Sequence, residues 1–298
     1  HLLPKAVRWD VQYEILKEEI SEETSTWGGD VFISSENFEL LDEPSIQKLL
    51  RLFPNYSFKI LFFYRSWTPL IYSSWQESVK HGSVETYSEY ALNHIAFPQD
   101  SVVLNFRLPI ERWARAVGYD RIAIASYETV VATEDISAFA LKWLGVNRQT
   151  DLASGVYNKS LDHFSAETVR VLNELALKDG FTPGLGILRS YTGTVNKVNG
   201  PPYKKVLAEL MRPYVVSTPN LGASVVASNF FSEFLAQYSN IMIDCPKTRE
   251  NNHNVTKFEL SVVTQRYLQD SLARMAITDL WHRISLSLIS KCESHKTV

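Results

Sequence analysis

Four side chains lie at spacings that could bring them onto one small anionic ligand. Arg65 closes the apolar run Phe58-Lys59-Ile60-Leu61-Phe62-Phe63-Tyr64, and Ser73 follows eight residues later. A guanidinium offers paired N–H donors that match the oxygens of a phosphate. A hydroxyl in the first turns of a following helix adds a donor, at the helix end that favours negative charge. Together they make a site for a phosphate monoester; the plainer alternative is that Arg65 pairs with a nearby carboxylate and Ser73 faces solvent. Glu36, at the end of Ser34-Ser35-Glu36, is a carboxylate that could take a proton from a substrate hydroxyl. It could equally accept local backbone N–H groups as a cap. Tyr127, in Tyr127-Glu128, offers a ring to a nucleobase or fills core.

Such a meeting requires strands of one sheet immediately before Glu36, Arg65 and Tyr127. Val31-Phe32-Ile33, after Gly28-Gly29-Asp30, is expected to be a short buried strand. Phe58 to Tyr64 is the strongest strand signal, and its near-continuous apolarity suits a parallel strand covered on both faces. Arg121 to Ser126 reads as a third strand. In an open parallel sheet, ligands bind outside the carboxyl ends of the strands, which is where all three residues would stand.

The intervening segments read as helices. Residues 10–23 are charged, with Val11, Ile15 and Ile20 as their apolar stripe. A helix is expected from Pro44, carrying Ile46, Leu49 and Leu50, and another from Thr68-Pro69, a capping side chain followed by proline. Leu108 to Gly118 follows, with Trp113 and Val117 on one face. Thr133 is expected to cap a further helix whose Ile136, Phe139, Ala140, Trp143 and Leu144 form one face before Gly145. Strands alternating with helices predict an α/β domain with a mainly parallel sheet over residues 1–180. Residues 181–202 are rich in Gly, Pro, Thr and Asn and read as a surface loop. Helical pieces are expected near 203–212 and 226–240, and one long helix or two from Lys257 onward. The chain thus divides at residue 180 into an α/β part and a loop-plus-helical extension, 181–298.

Composition narrows the function classes. With 298 residues, 45% hydrophobic and 21% charged, the chain is neither disordered, collagen-like nor coiled coil throughout. A net charge of -3 excludes the broad basic footprint of a nucleic-acid or anionic-membrane binder. Cys245 and Cys292 have no metal-ligand spacing and read as two thiols or one bridge. His94, His163, His253 and His282 show no ligand or triad spacing, so no metal is expected. No apolar run reaches the length of a membrane span. The sequons at Asn55, Asn158 and Asn254 are about as many as chance gives.

Taken in order, these segments resemble the P-loop-fold sulfotransferases, which move a sulfuryl group from 3′-phosphoadenosine 5′-phosphosulfate (PAPS) to an acceptor. The resemblance rests on Ser34-Ser35-Glu36-Asn37-Phe38, on Ile60 to Arg65 with Ser73, and on Val79-Lys80-His81-Gly82. It continues through Glu111-Arg112-Trp113-Ala114 with Gly118, Ile122 to Glu128, Asp135 to Gly145, and Asn158-Lys159-Ser160-Leu161 with Asn173, covering roughly residues 28–180. By that resemblance, Arg65 and Ser73 would hold the cofactor's 3′-phosphate, Tyr127 would lie near the adenine, and Glu36 would be the catalytic base. The implied reaction is in-line: Glu36 takes the acceptor proton as the acceptor oxygen or nitrogen attacks sulfur, and adenosine 3′,5′-bisphosphate leaves. Such chemistry depends on positioning and on neutralising charge, and the family needs no metal. The implied partners are the nucleotide co-substrate and a hydroxyl- or amine-bearing carbohydrate or small molecule, in the cytoplasm or the Golgi lumen.

The family also carries a glycine- and Thr/Ser-rich loop that cradles the 5′-phosphosulfate, several dozen residues before the glutamate. The 30 residues before Val31 contain no such loop, and neither Gly184-Leu185-Gly186 nor Thr192-Gly193-Thr194 fits its pattern. The expectation is a lost amino-terminal segment or a degenerate relative. A competing reading is therefore a sulfotransferase-like binding or scaffold protein without turnover. A nucleotide kinase-like transferase is weaker, because no Walker A loop or magnesium carboxylate is evident.

Overall fold

The computed structural model describes residues 29–146, 160–197, 201–218, 225–243 and 260–294, together with Glu18 and Glu22, which are helical and exposed. The rest of the helix expected over 10–23 lies outside the described residues. In chain order come α1 (Glu43–Arg51), β1 (Ile60–Tyr64), α2 (Trp67–Lys80), α3 (Tyr87–Ile95), α4 (Arg107–Val117) and β2 (Ile122–Ser126). Then follow α5 (Tyr127–Val131), α6 (Ile136–Trp143), α7 (His163–Lys178), α8 (Leu185–Val195), α9 (Tyr203–Met211), β3 (Val215–Thr218), α10 (Val225–Gln237), β4 (Leu260–Val263) and α11 (Ser271–Ser294). The described chain is mostly helical, with one small parallel sheet and one antiparallel strand pair.

Two compact units interleave along the chain: residues 1–64, 106–146 and 234–246 form one, and 65–105, 147–233 and 247–298 the other. The sequence reading divides the chain once, at residue 180.

The first unit is built on the two best strand signals. β1 and β2 pair in parallel, from Ile60 with Ile122 to Tyr64 with Ser126. Every residue of β2 is buried, which suits the central position its run of Ile and Ala implies. Its far edge is taken by a segment distant in sequence: Ile124 N–H donates to Ile241 O, and Ile243 N–H donates to Ile124 O, both at 2.9 Å. Ala125, Val130 and Phe139 form a buried cluster, with Leu61, Phe63, Ile136 and Ile243 packed against it.

Two sequence expectations fail in this unit. Val31-Phe32-Ile33 forms no strand, and it lies 41–54% exposed. Three residues can supply few ladder hydrogen bonds. Thr133 does not cap α6. Asp135 does, accepting from Ser137 N at 2.8 Å and Ala138 N at 3.2 Å, while the Thr133 hydroxyl turns back to the carbonyls of Thr129 and Val130. The charged carboxylate so placed reaches two first-turn amides, which a hydroxyl two residues earlier cannot.

The second unit is organised around α7, buried from Ser165 to Asn173 and again at Ala176. Five of those residues are polar, and each has hydrogen-bond partners; three of them reach beyond the helix as follows. Arg170 donates from Nε and Nη2 to the two oxygens of Glu167 at 2.8 Å, and from Nη1 to Val84 O at 3.0 Å. Tyr267 OH donates to Glu167 Oε1 at 2.9 Å. Asn173 Nδ2 donates to Val79 O and Ser83 O, and its Oδ1 accepts from Gly184 N at 3.1 Å.

Residues 181–202 do not form a loop throughout, because α8 occupies Leu185–Val195. Ile187, Ser190 and Tyr191 recur at helical spacing and are buried, and that packing outweighs the cost of Gly186 and Gly193. Lys257 onward is not helical throughout either. Leu260–Val263 forms β4, antiparallel to β3, as its β-branched pair Val262-Val263 favours, before α11 begins.

Candidate functional site

Arg65 is the first residue after β1, and Ser66 is the N-cap of α2. The helix therefore starts at Trp67, one residue before the Thr68-Pro69 signature. Ser66 makes no side-chain capping hydrogen bond, and Pro69 brings no N–H to the first turn. The half-buried Arg65 guanidinium lies along the first two turns, with Nη1 donating to Ser73 Oγ at 3.4 Å. The Ser73 hydroxyl donates in turn to Leu70 O at 3.0 Å. The Arg65–Ser73 contact is long for a charge-assisted hydrogen bond. Arg65 and Ser73 are thus brought together as the sequence spacing implied, within the second unit.

Trp67 escaped the sequence reading. Its indole is buried, with the rings of Phe230 and Phe231 each centred 5.9 Å away. Its Nε1–H has no hydrogen-bond partner among the described residues, which is uncommon for a buried donor. The only available signal was an aromatic residue set between the arginine and the helix start.

Tyr127 and Glu36 belong to the first unit. Ser126, the register partner of Tyr64, caps the short α5 by accepting from Thr129 N at 3.3 Å. Tyr127 opens that helix, half-buried. Glu36 starts a 3-10 turn, Glu36–Leu40, and so follows irregular chain rather than the end of a strand. The turn is fastened by its carbonyls: Arg112 donates to Glu39 O at 2.6 Å and Trp113 Nε1 to Phe38 O at 3.2 Å. The Glu36 side chain lies outside the described residues, as do Asn158 and Lys159.

One further constellation has the look of a nucleophile and its base. His94 Nδ1 lies 2.8 Å from Ser101 Oγ, and burial lowers the pKa of His94. The buried Ser101 oxygen, however, also accepts from Val103 N and Leu104 N at 3.3 and 3.0 Å. It is a turn cap saturated by local donors, and the histidine completes that cap. Among the described residues no group of three or more His, Cys, Asp or Glu could hold a metal ion, and no helix is long and apolar enough to cross a membrane. Cys245 and the side chain of Cys292 lie outside the described residues. Comparison with family models, with curated proteins and with solved structures gives no match.

Proposed function

We propose that the chain is a PAPS-dependent sulfotransferase of the P-loop type, with Arg65 and Ser73 on the 3′-phosphate of the nucleotide. The observation that carries the reading is the Arg65–Ser73 contact of 3.4 Å at the start of α2. It puts a guanidinium and a hydroxyl within reach of one phosphate, directly after a parallel strand. The parallel β1–β2 pairing supports the same reading. In this reading Tyr127 borders the adenine. Glu36 takes the proton of an attacking hydroxyl or amine while the sulfur–oxygen bond to the nucleotide breaks, and adenosine 3′,5′-bisphosphate leaves with the electron pair.

Adenosine 3′,5′-bisphosphate is then expected to raise the melting temperature by mass action, by about 2.7 kcal/mol of stability at one hundred times its Kd. Adenosine 5′-phosphate, which lacks the 3′-phosphate, should give a much smaller shift. Arg65→Ala should remove the difference between the two nucleotides, and Ser73→Ala should reduce it. Equal shifts from both nucleotides in the unmodified protein would sink the assignment.

A second reading, nucleotide or partner binding without turnover, is favoured by one observation: Val31–Ile33 is exposed chain outside any strand, so no strand fixes Glu36. Transfer of labelled sulfuryl from PAPS to a panel of carbohydrate and phenolic acceptors separates the two. Turnover lost in Glu36→Gln with nucleotide binding retained supports the enzyme, and binding without turnover in the unmodified protein supports the alternative.

A further inference from the structure

Helix α11 carries two stripes, and its own unit covers one of them. Ala273, Ile277, Leu280, Trp281 and Ile284 are buried, with Trp281 Nε1 donating to Asp179 Oδ2 at 2.6 Å. The opposite stripe is Leu272, Met275, Asp279, His282, Leu286 and Ile289, spaced alternately three and four residues apart. All six are exposed, and the four apolar ones are 44–67% accessible. Alternate three- and four-residue spacing is the seam of a two-stranded coiled coil. A soluble helix has no reason to hold four large apolar side chains in such a line unless something covers them.

The order of residues along this stripe identifies its occupant. Read from either end it runs apolar, apolar, polar, polar, apolar, apolar. We propose that α11 pairs antiparallel with α11 of a second copy of this chain, about a two-fold axis midway between Asp279 and His282. Leu272 then meets Ile289 of the second copy, Met275 meets Leu286, and Asp279 meets His282, each pairing occurring twice. The central layers place a carboxylate against an imidazole, and polar seam residues of this kind fix orientation and register. Parallel pairing would instead stack Asp279 on Asp279, a like-charge contact that opposes it, and would part each carboxylate from the imidazole. Asp279 is already oriented for the role. It accepts from the Tyr203 hydroxyl and from Arg283 Nε at 3.3 Å, yet its side chain stays 53% exposed. The seam is short, so the dimer is expected to form at micromolar concentrations and above.

Sedimentation equilibrium on the full chain tests this. The weight-average mass should climb from 34.0 kDa toward twice that value as concentration rises from micromolar to millimolar. Met275→Lys and Leu286→Glu, each made alone and both at exposed positions, should hold it at the monomer with unchanged far-UV circular dichroism. His282→Asp, which faces Asp279 with a like charge, should weaken the dimer by about tenfold or more. A spin label at Leu272→Cys, with both native cysteines replaced by alanine, reads the orientation. The helical rise puts the two labels roughly 26 Å apart in the antiparallel dimer and about 10 Å apart in a parallel one. A monomer at every concentration, a dimer indifferent to all three substitutions, or a short label distance would each overturn the proposal.

Discussion

Arg170 and Glu167 show how a charged pair survives in the core of the second unit. Their side chains are 1% and 4% exposed, where an isolated charge would be prohibitively expensive. The bidentate pairing, the Val84 carbonyl and the Tyr267 hydroxyl satisfy nearly every donor and acceptor of both groups. Arg170→Ala should therefore cost about 3–5 kcal/mol, because it strands Glu167 rather than because the pair is worth that much. The double change Arg170→Met, Glu167→Leu should cost clearly less than the single one. Urea unfolding of the three proteins checks this, and a double variant no more stable than the single would refute it. Carboxylates at helix starts act at low pH instead. The side chain and backbone N–H of Ser45 hold Asp42 below the ordinary carboxyl value of 3.8, and the hydroxyl and N–H of Thr86 hold Glu89 below 4.5. At Asp162 burial works upward, but Lys204 and Ser165 outweigh it, and the net shift from 3.8 is downward. A carboxyl with a lowered folded-state pKa gives stability that is full above its unfolded value and is lost as pH falls through the folded one. The urea midpoint should accordingly drop as pH falls below about 4.5. Thr86→Ala should shrink that drop; an equal drop in the variant would remove Glu89 from the cause.

At the scale of elements, α8 is where sequence and structure part most instructively. Gly186 and Gly193 sit on it exposed, and a Cβ at either would meet nothing within 4 Å. Gly186→Ala and Gly193→Ala should each stabilise the protein by about 0.5–1 kcal/mol, since glycine loses most backbone freedom in a helix. Gly184, at the N-cap, behaves oppositely. Its φ is +112° and a Cβ would stand 3.0 Å from His81 O, so Gly184→Ala should destabilise by at least about 1–3 kcal/mol. Thermal melts of the three variants check the signs. The same glycines explain why α8 was illegible: local propensity argued for a loop, and only burial of Ile187 and Tyr191 decided for a helix. β1, β2, α1, α4, α6, α9 and α10 were legible because each carries a run or a periodic face that one rule can read. Val31–Ile33 obeyed the same rule and failed, since three residues supply too few ladder hydrogen bonds to hold a strand. Within the site, the eight-residue step from Arg65 to Ser73 was readable because strand-then-helix geometry leaves few alternatives. The His94–Ser101 contact was not, being made by a turn that residue spacing does not encode. The exposed stripe of α11 was hidden by the buried one beside it.

For the molecule as a whole, interleaving matters more than any one element. The first unit takes Phe234–Ile243 from late in the chain. Phe234 rests edge-on to Tyr64, with ring centres 5.9 Å apart, Tyr238 donates to Glu111 Oε1 at 2.5 Å, and Met242 bridges Ile124. The second unit likewise needs Tyr267, 100 residues beyond Glu167. Long-range closures of this kind must form before their contacts can stabilise anything, which makes partial chains poor folding units. A chain cut after residue 180 would keep β1 and β2 but expose the far edge of β2, and would leave Glu167 without its Tyr267 hydrogen bond. It should therefore lack a cooperative thermal transition, and the amides of β2 should exchange with solvent as fast as those of the unfolded chain. Adding back a peptide of residues 225–246 should restore part of the β2 protection, since it carries the strand-like Ile241–Ile243 segment that Ile124 uses. A truncated chain that melts cooperatively with Ile124 protected would mean that the strands need only their neighbours in sequence, and that the late segment is an accessory to the sheet rather than part of it.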